Sequence, residues 1–247
     1  GLLEAGEQCD DGNLLDGDCC DAHCVAEPTG TSCSDGDLCN GEEACDGAGH
    51  CQAGSPLDCS DGDACTRDFC DPGTGCTSAV APATTCTTWG RAALLVQERA
   101  PGKEALTARL TTGPALAPGD LGNPIVPGGT AYTTCVYDAN DALAARLELA
   151  RAGSGCGKRP CWKSLQRGAA LQFSDGLASA DGIRLLRLGS GAAGRTRILL
   201  KARNDARKGQ ASLPTGIAAA LAGSNRAILQ IFRSDSEQCF SATLGEV

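Results

Sequence analysis

The chain has 247 residues, with 21 Lys and Arg against 30 Asp and Glu for a formal net charge of −9; 42% of residues are hydrophobic and only 3% aromatic. No apolar run approaches the ~18 residues needed to cross a bilayer, so no membrane insertion is expected. The lack of Met and a start at Gly1 inside a motif lead us to expect a processed or trimmed N-terminus.

Cysteine dominates the first third, with 12 of the 17 falling before residue 77. That density reads as a disulfide framework made in an oxidising compartment, hence an extracellular, secreted or cell-surface protein. Zinc modules favour C-x-x-C knuckles, and none occurs here; the histidines are only His23 and His50.

Charge divides the chain more sharply than any other property. Residues 1–88 hold 18 acids and one base, Arg67, a net of −17, whereas 89–247 hold 12 acids and 20 bases, a net of +8. We read this reversal as a domain boundary, giving an acidic cysteine-rich domain over 1–88 and a basic domain over 89–247.

The acidic part repeats. Cys33-Ser-Asp-Gly-Asp-Leu-Cys39 aligns with Cys59-Ser-Asp-Gly-Asp-Ala-Cys65 at a period of 26, and Cys45 and Cys51 continue as Cys70 and Cys76 after a one-residue deletion. Such aliphatic-poor repeats cannot bury a core, so covalent links must replace it. Loops and short hairpins with little helix are expected. The same segments cluster oxygen donors: Asp10, Asp11, Asn13, Asp16 and Asp18, then Asp35 and Asp37, then Asp61 and Asp63. Asp beside Gly turns the backbone tightly and converges carboxylates, the donor set that Ca²⁺ takes, so calcium is the expected cofactor. The alternative is that Asp-Gly only makes turns and the charge stays solvated.

Gly6-Glu7-Gln8-Cys9-Asp10-Asp11-Gly12-Asn13, with Asp16-Gly17-Asp18 and Cys20 through Cys24, resembles the cysteine-rich repeat of secreted myxobacterial-type proteins. The Cys33–Cys76 stretch is similar to the C-x-D-G-D-x-C repeats that often follow it. The family pattern carries a Cys-Gly-Asn ahead of the position of Gly1 and has Gly where this chain has Cys19. The resemblance implies extracellular placement and no activity.

The basic part reads as β throughout. Apolar or alternating runs occur at 92–96, 105–110, 131–137, 143–149, 169–173, 183–188, 195–201, 227–232 and 239–244, separated mostly by Gly, Pro, Asn or Asp. About nine short strands predict an antiparallel β-sandwich. Arg184, Arg187, Arg195 and Arg197 interleave with Ile and Leu, as on a sheet with one wet face. Thr134-Cys135-Val136-Tyr137-Asp138, Cys156 to Cys161 with Trp162, Asp181-Gly-Ile183 and Gln238-Cys239-Phe240 resemble an uncharacterised C-terminal module found beside such repeats. Cys156 and Cys161 bracket a short loop and are expected to bond to each other. Cys135 and Cys239 sit in strand-like segments and are candidates to staple the domain, leaving Cys86 as the odd thiol.

Catalytic patterns are weak. Gly189-Ser-Gly-Ala-Ala-Gly194 matches G-x-G-x-x-G as text, but strand chemistry follows it, so it reads as a hairpin loop and no organic cofactor is expected. Lys201, Arg203, Arg207 and Lys208 form a basic cluster in a chain with few stacking aromatics, so no nucleic acid is expected. Trp89 and Trp162 are candidate sugar-binding platforms, with burial as the competing reading. The expectation is a non-enzymatic, calcium-stabilised extracellular structural protein that self-associates head-to-tail through its acidic and basic parts into a filament or surface layer. An adhesin or glycan-binding module is the alternative, and a protease inhibitor the second.

Overall fold

The computed structural model describes residues 3–13, 15–98, 100–205, 209 and 212–245. Arg207 and Lys208 of the basic cluster lie outside the described residues. The chain is mainly β and divides into two compact units. Gly1–Asp63 with Asp68–Ala79 form the first, and Ala64–Arg67 with Val80–Val247 form the second.

The first unit has little regular structure. β1 (Ala44–Cys45) pairs antiparallel with β2 (Cys51–Gln52), and β3 (Thr66–Asp71), whose Thr66 and Arg67 belong to the second unit, pairs with β4 (Gly75–Val80) across a three-residue turn. Its interior is sulfur: Cys19, Cys33 and Cys45 form a buried cluster. Bridges join Cys9 to Cys20, Cys19 to Cys45, Cys33 to Cys51, Cys39 to Cys70 and Cys59 to Cys76. Glycine lets strands of chain press together between them. A Cβ on Gly54 would lie 2.5 Å from the Glu42 carbonyl oxygen, and one on Gly49 would strike Cβ of Cys9 at the same distance. Backbone contact of this kind substitutes for the side-chain packing that the composition cannot supply.

The second unit is a sandwich of two sheets. In chain order its strands are β5 (Thr87–Thr88), β6 (Arg91–Gln97), β7 (Ala105–Thr111), β8 (Tyr132–Tyr137), β9 (Leu143–Leu149), β10 (Gly155–Cys156) and β11 (Arg159–Pro160). β12 (Trp162–Leu165), β13 (Ala170–Ser174), β14 (Ile183–Gly189), β15 (Arg197–Arg203), β16 (Ala227–Arg233) and β17 (Cys239–Leu244) follow, with a short helix α1 (Ile217–Leu221) before β16. One sheet runs β12-β13-β14-β15-β7-β6 and the other β5-β17-β16-β8-β9. Neighbouring strands are antiparallel except β5 on β17. All nine runs picked out by alternation form strands here. Ile198, Leu200 and Ala202 of β15 point inward while Arg197, Leu199, Lys201 and Arg203 point outward, the period-2 division that a half-buried strand requires. The shared core joins Leu106, Leu110, Phe173, Leu188 and Leu200 to Leu147, Leu149, Leu229, Ile231 and Phe240.

The sheet containing β8 and β16 is buried on its other face as well. Cys65, Cys135 and Tyr137 form a second buried cluster there, with Leu143, Ile228 and Phe232 packed against it. The Tyr137 hydroxyl donates to the Cys65 carbonyl (2.9 Å). Farther along, the Gln230 carboxamide clasps the backbone of Ala83, accepting from its N–H (2.9 Å) and donating to its carbonyl (2.7 Å).

This arrangement corrects two cysteine expectations. Cys135 and Cys239 are not partners: Cys135 bonds to Cys65 and Cys239 to Cys86. Both side chains face away from the main core, but β16 separates their strands, and two strand spacings of about 4.8 Å each exceed the reach of one disulfide. Cys86 is therefore not the odd thiol; that residue is Cys24. Cys156 bonds to Cys161 across the β10–β11 turn.

Candidate functional site

Local backbone geometry accounts for how the carboxylates of the acidic loops are used. In the first loop Asp10 Oδ1 accepts from Gly12 N (3.0 Å), Asp11 Oδ1 from Asn13 N (3.0 Å), and Asp16 Oδ1 from Ala22 N (3.0 Å). The Asn13 side-chain amide donates to Asp18 Oδ2 (2.8 Å). Hydrogen bonds from the Asn13 side chain first, and from the Cys20 backbone N–H, hold the Asp18 carboxyl below its ordinary range against opposing desolvation.

The two Ser-Asp-Gly-Asp loops fold alike. Asp35 Oδ1 accepts from Asp37 N (2.7 Å), and Asp61 Oδ1 from Asp63 N (2.7 Å). Asp37 Oδ1 accepts in turn from Cys39 N (2.8 Å). Each loop is closed by a further acid that the sequence reading passed over. Glu43 Oε2 takes the Asp35 N–H (2.7 Å), while its Oε1 takes the Asn40 side-chain amide (2.8 Å). In the second copy Asp68 Oδ2 takes the Asp61 N–H (3.1 Å). Glu43 and Asp68 are equivalent, each two residues before a repeat cysteine, Cys45 or Cys70. Glu27 does the corresponding work in the first loop, accepting from Gly17 N (2.7 Å) and Cys19 N (3.1 Å). Among the described residues the one group of three potential metal donors within 4.8 Å is Cys19, Cys33 and Cys51, and all three are spent in disulfides.

No protein-family model, curated protein or solved structure matches this chain.

The two tryptophans are not platforms. Trp89 is 5% exposed and sits edge-on to Phe240, with ring centroids 6.3 Å apart. Trp162 is 3% exposed and packs between Tyr132 and Phe173, each 5.4 Å away. Position in the sandwich explains the correction: Trp162 opens β12 and shares the inward face with Phe173, its register partner on β13. Neither ring has a face left for a sugar.

Buried polar groups in the second unit hold loops. The Asn204 carboxamide donates to Glu104 (2.8 Å) and to the Leu213 carbonyl (2.9 Å), and it accepts from Leu213 N (2.8 Å). The bond from Asn204 is the main influence holding the Glu104 carboxyl below its usual range. For Asp175 burial pushes upward, but three donors outweigh it: Leu177 N (2.8 Å), Ser179 N (2.9 Å) and Ser179 Oγ (2.7 Å). Arg151 links that loop to the Cys156–Cys161 turn by donating to Ser179 Oγ (3.0 Å) and to the Gly155 carbonyl (3.1 Å). Gly189-Ser-Gly-Ala-Ala-Gly194 lies in the hairpin connection from β14 to β15, where the chain reverses antiparallel without opening a helix. Cys24 is the remaining nucleophile of interest. A hydrogen bond to Glu7, then desolvation and the nearby charges of Glu7, Asp10 and Asp21, raise its thiol pKa above the ordinary value. This is opposite to the shift that activates a cysteine.

Proposed function

We propose that the chain is a non-catalytic structural protein of an extracellular surface or matrix. The observation carrying this reading is that sixteen of the 17 cysteines are bridged, in both units. Such a framework belongs in an oxidising compartment, and it trades conformational freedom for persistence. No helix among the described residues is long and apolar enough to cross a membrane. The resemblance of residues 1–76 to secreted cysteine-rich repeats points the same way.

Calcium at the first acidic loop is part of the proposal. The support is the Asn13 side-chain amide on Asp18 Oδ2 (2.8 Å), in a loop that also carries Asp10, Asp11 and Asp16, a segment of high negative charge where a divalent ion relieves carboxylate repulsion. Asn13 would exchange its amide donor for its carbonyl oxygen when the ion binds. Calorimetric titration of the intact, oxidised chain with CaCl₂ tests this. Saturable heat at millimolar calcium or below, lost in Asp11→Asn with Asp18→Asn, is expected; an absence of both heat and thermal shift would overturn it.

A further inference from the structure

The six strands of the larger sheet contain no Asp or Glu at all, and the charges on their outward face are all cations. Register places Lys163, Arg187 and Arg109 in one cross-sheet row, through the pairs Lys163 with Gln172, Gln172 with Arg187, Arg187 with Leu199 and Leu199 with Arg109. The adjacent row aligns Arg197 with Arg91 through Thr111. Where β14 and β15 meet their connecting loop, the surface dips into a concavity of about 400 Å³ lined by Gln166, Arg187, Ser190, Arg195, Arg197 and Leu199.

Three features make this concavity a built site. Arg187, Arg195 and Arg197 are exposed and have no ion-pair partner among the described residues. Arg187 and Arg197 are diagonal neighbours, about 7 Å apart on adjacent strands, so one anion can be reached by both guanidinium groups. The rim is pre-organised: Gly191 and Leu116 exchange backbone hydrogen bonds (2.9 and 3.0 Å), Gly194 N donates to the Gly113 carbonyl (2.7 Å), and Ser190 Oγ donates to the Ala169 carbonyl (2.9 Å). Gln166 and its neighbour Arg167 are both held in the left-handed region, at φ of 52° and 57°. Two consecutive non-glycine residues there store strain, which accumulates at ligand clamps.

We propose that this face binds an acidic polysaccharide, with a carboxylate or sulfate group seated among Arg187, Arg195 and Arg197. Guanidinium forks match the planar or tetrahedral oxygens of such groups. The cations recur at every second strand, about 10 Å, so a linear polymer bearing spaced anions engages Lys163, Arg109 and Arg91 as it crosses the sheet. The non-polar residues on this face are aliphatic, such as exposed Leu95 and half-buried Leu199, and no ring is offered for stacking nucleobases. This extends the structural reading by giving the second unit an extracellular attachment.

The test measures binding of the intact, oxidised chain to polygalacturonate, dextran sulfate, neutral dextran and duplex DNA at physiological salt. The two acidic polysaccharides should bind and neutral dextran should not. The triple variant Arg187→Gln, Arg195→Gln, Arg197→Gln should lose at least about tenfold in affinity. Replacing all three by Lys keeps the charge but removes the fork and should give a smaller loss. A charge-matched control at Lys103, Lys158 and Arg159, outside this sheet, should change affinity less than about threefold. Equal losses in the Gln triple and the control would overturn the site, as would an absence of polysaccharide binding. Tighter binding of DNA than of either polysaccharide would overturn the ligand class. So would salt-sensitive self-association abolished by the triple in a chain that ignores polysaccharide. The arginine variants leave the calcium titration unchanged, so failure here and failure of the calcium proposal are separately readable.

Discussion

Removing the Cys86–Cys239 bridge by Cys86→Ala with Cys239→Ala should cost far more than removing Cys156–Cys161 in the same way. The two bridges close loops with sequence separations of 153 and 5 residues. Chain entropy alone then assigns them about 5 and about 2 kcal/mol. The Cys65–Cys135 bridge offers the unfolded chain a shortcut, but the dependence is logarithmic and trims the larger figure by only about 0.2 kcal/mol. Structure adds to the difference. Cys86 and Cys239 are 8% and 2% exposed, and Cys86 immediately precedes β5, whose parallel pairing with Phe240 and Ser241 it anchors. Alanine at both sites leaves a small void and frees that edge. For a unit of this size each kcal/mol moves the midpoint by about 2–4 °C, so the expected falls are about 10–20 °C for the first pair and about 4–8 °C for the second. Calorimetry without reductant reads both. A Cys156–Cys161 deletion that costs as much as the long-range one would refute the reasoning.

Three further outcomes follow from the packing and the charge. Trp162→Ala should lower stability by about 3–5 kcal/mol, because it empties the space between Tyr132 and Phe173; chemical denaturation reads this. Asp175, Glu104, Asp71 and Asp46 all have carboxyl pKa values depressed in the folded chain. Their contribution is full above the unfolded values of 3.8 and 4.5 and is lost as pH falls through the lower folded values. A midpoint that declines below about pH 4 in a thermal series is therefore expected, and a midpoint flat down to pH 2 would contradict it. Cys24, with its thiol pKa raised by Glu7, should react with iodoacetamide at pH 8 more slowly than free cysteine does; faster alkylation would show an environment unlike the one described.

The strands were legible because half-buried strands alternate, and the 183–188 and 195–201 runs announced β14 and β15 on either side of a glycine-rich loop. β12 was missed: Trp162-Lys-Ser-Leu165 is four residues long, too short for alternation to register. Of the disulfides only the local Cys156–Cys161 pair was legible from spacing; Cys65 finds Cys135 and Cys86 finds Cys239 through strand order, which spacing does not encode. The loop-closing role of Glu43 and Asp68 was open to view in the repeat alignment, as an acid kept at one offset before a cysteine. For the tryptophans the structure decides for burial over the sugar platform: with 3% aromatics in the chain, each ring is scarce, and the sandwich places both in the core.

The covalent framework is the claim on which the rest stands, and a peptide map of the non-reduced chain by mass spectrometry tests it most directly. The account requires Cys65 linked to Cys135, Cys86 linked to Cys239, and one alkylatable thiol at Cys24. A peptide joining Cys135 to Cys239, or thiols recovered throughout residues 9–76, would contradict it.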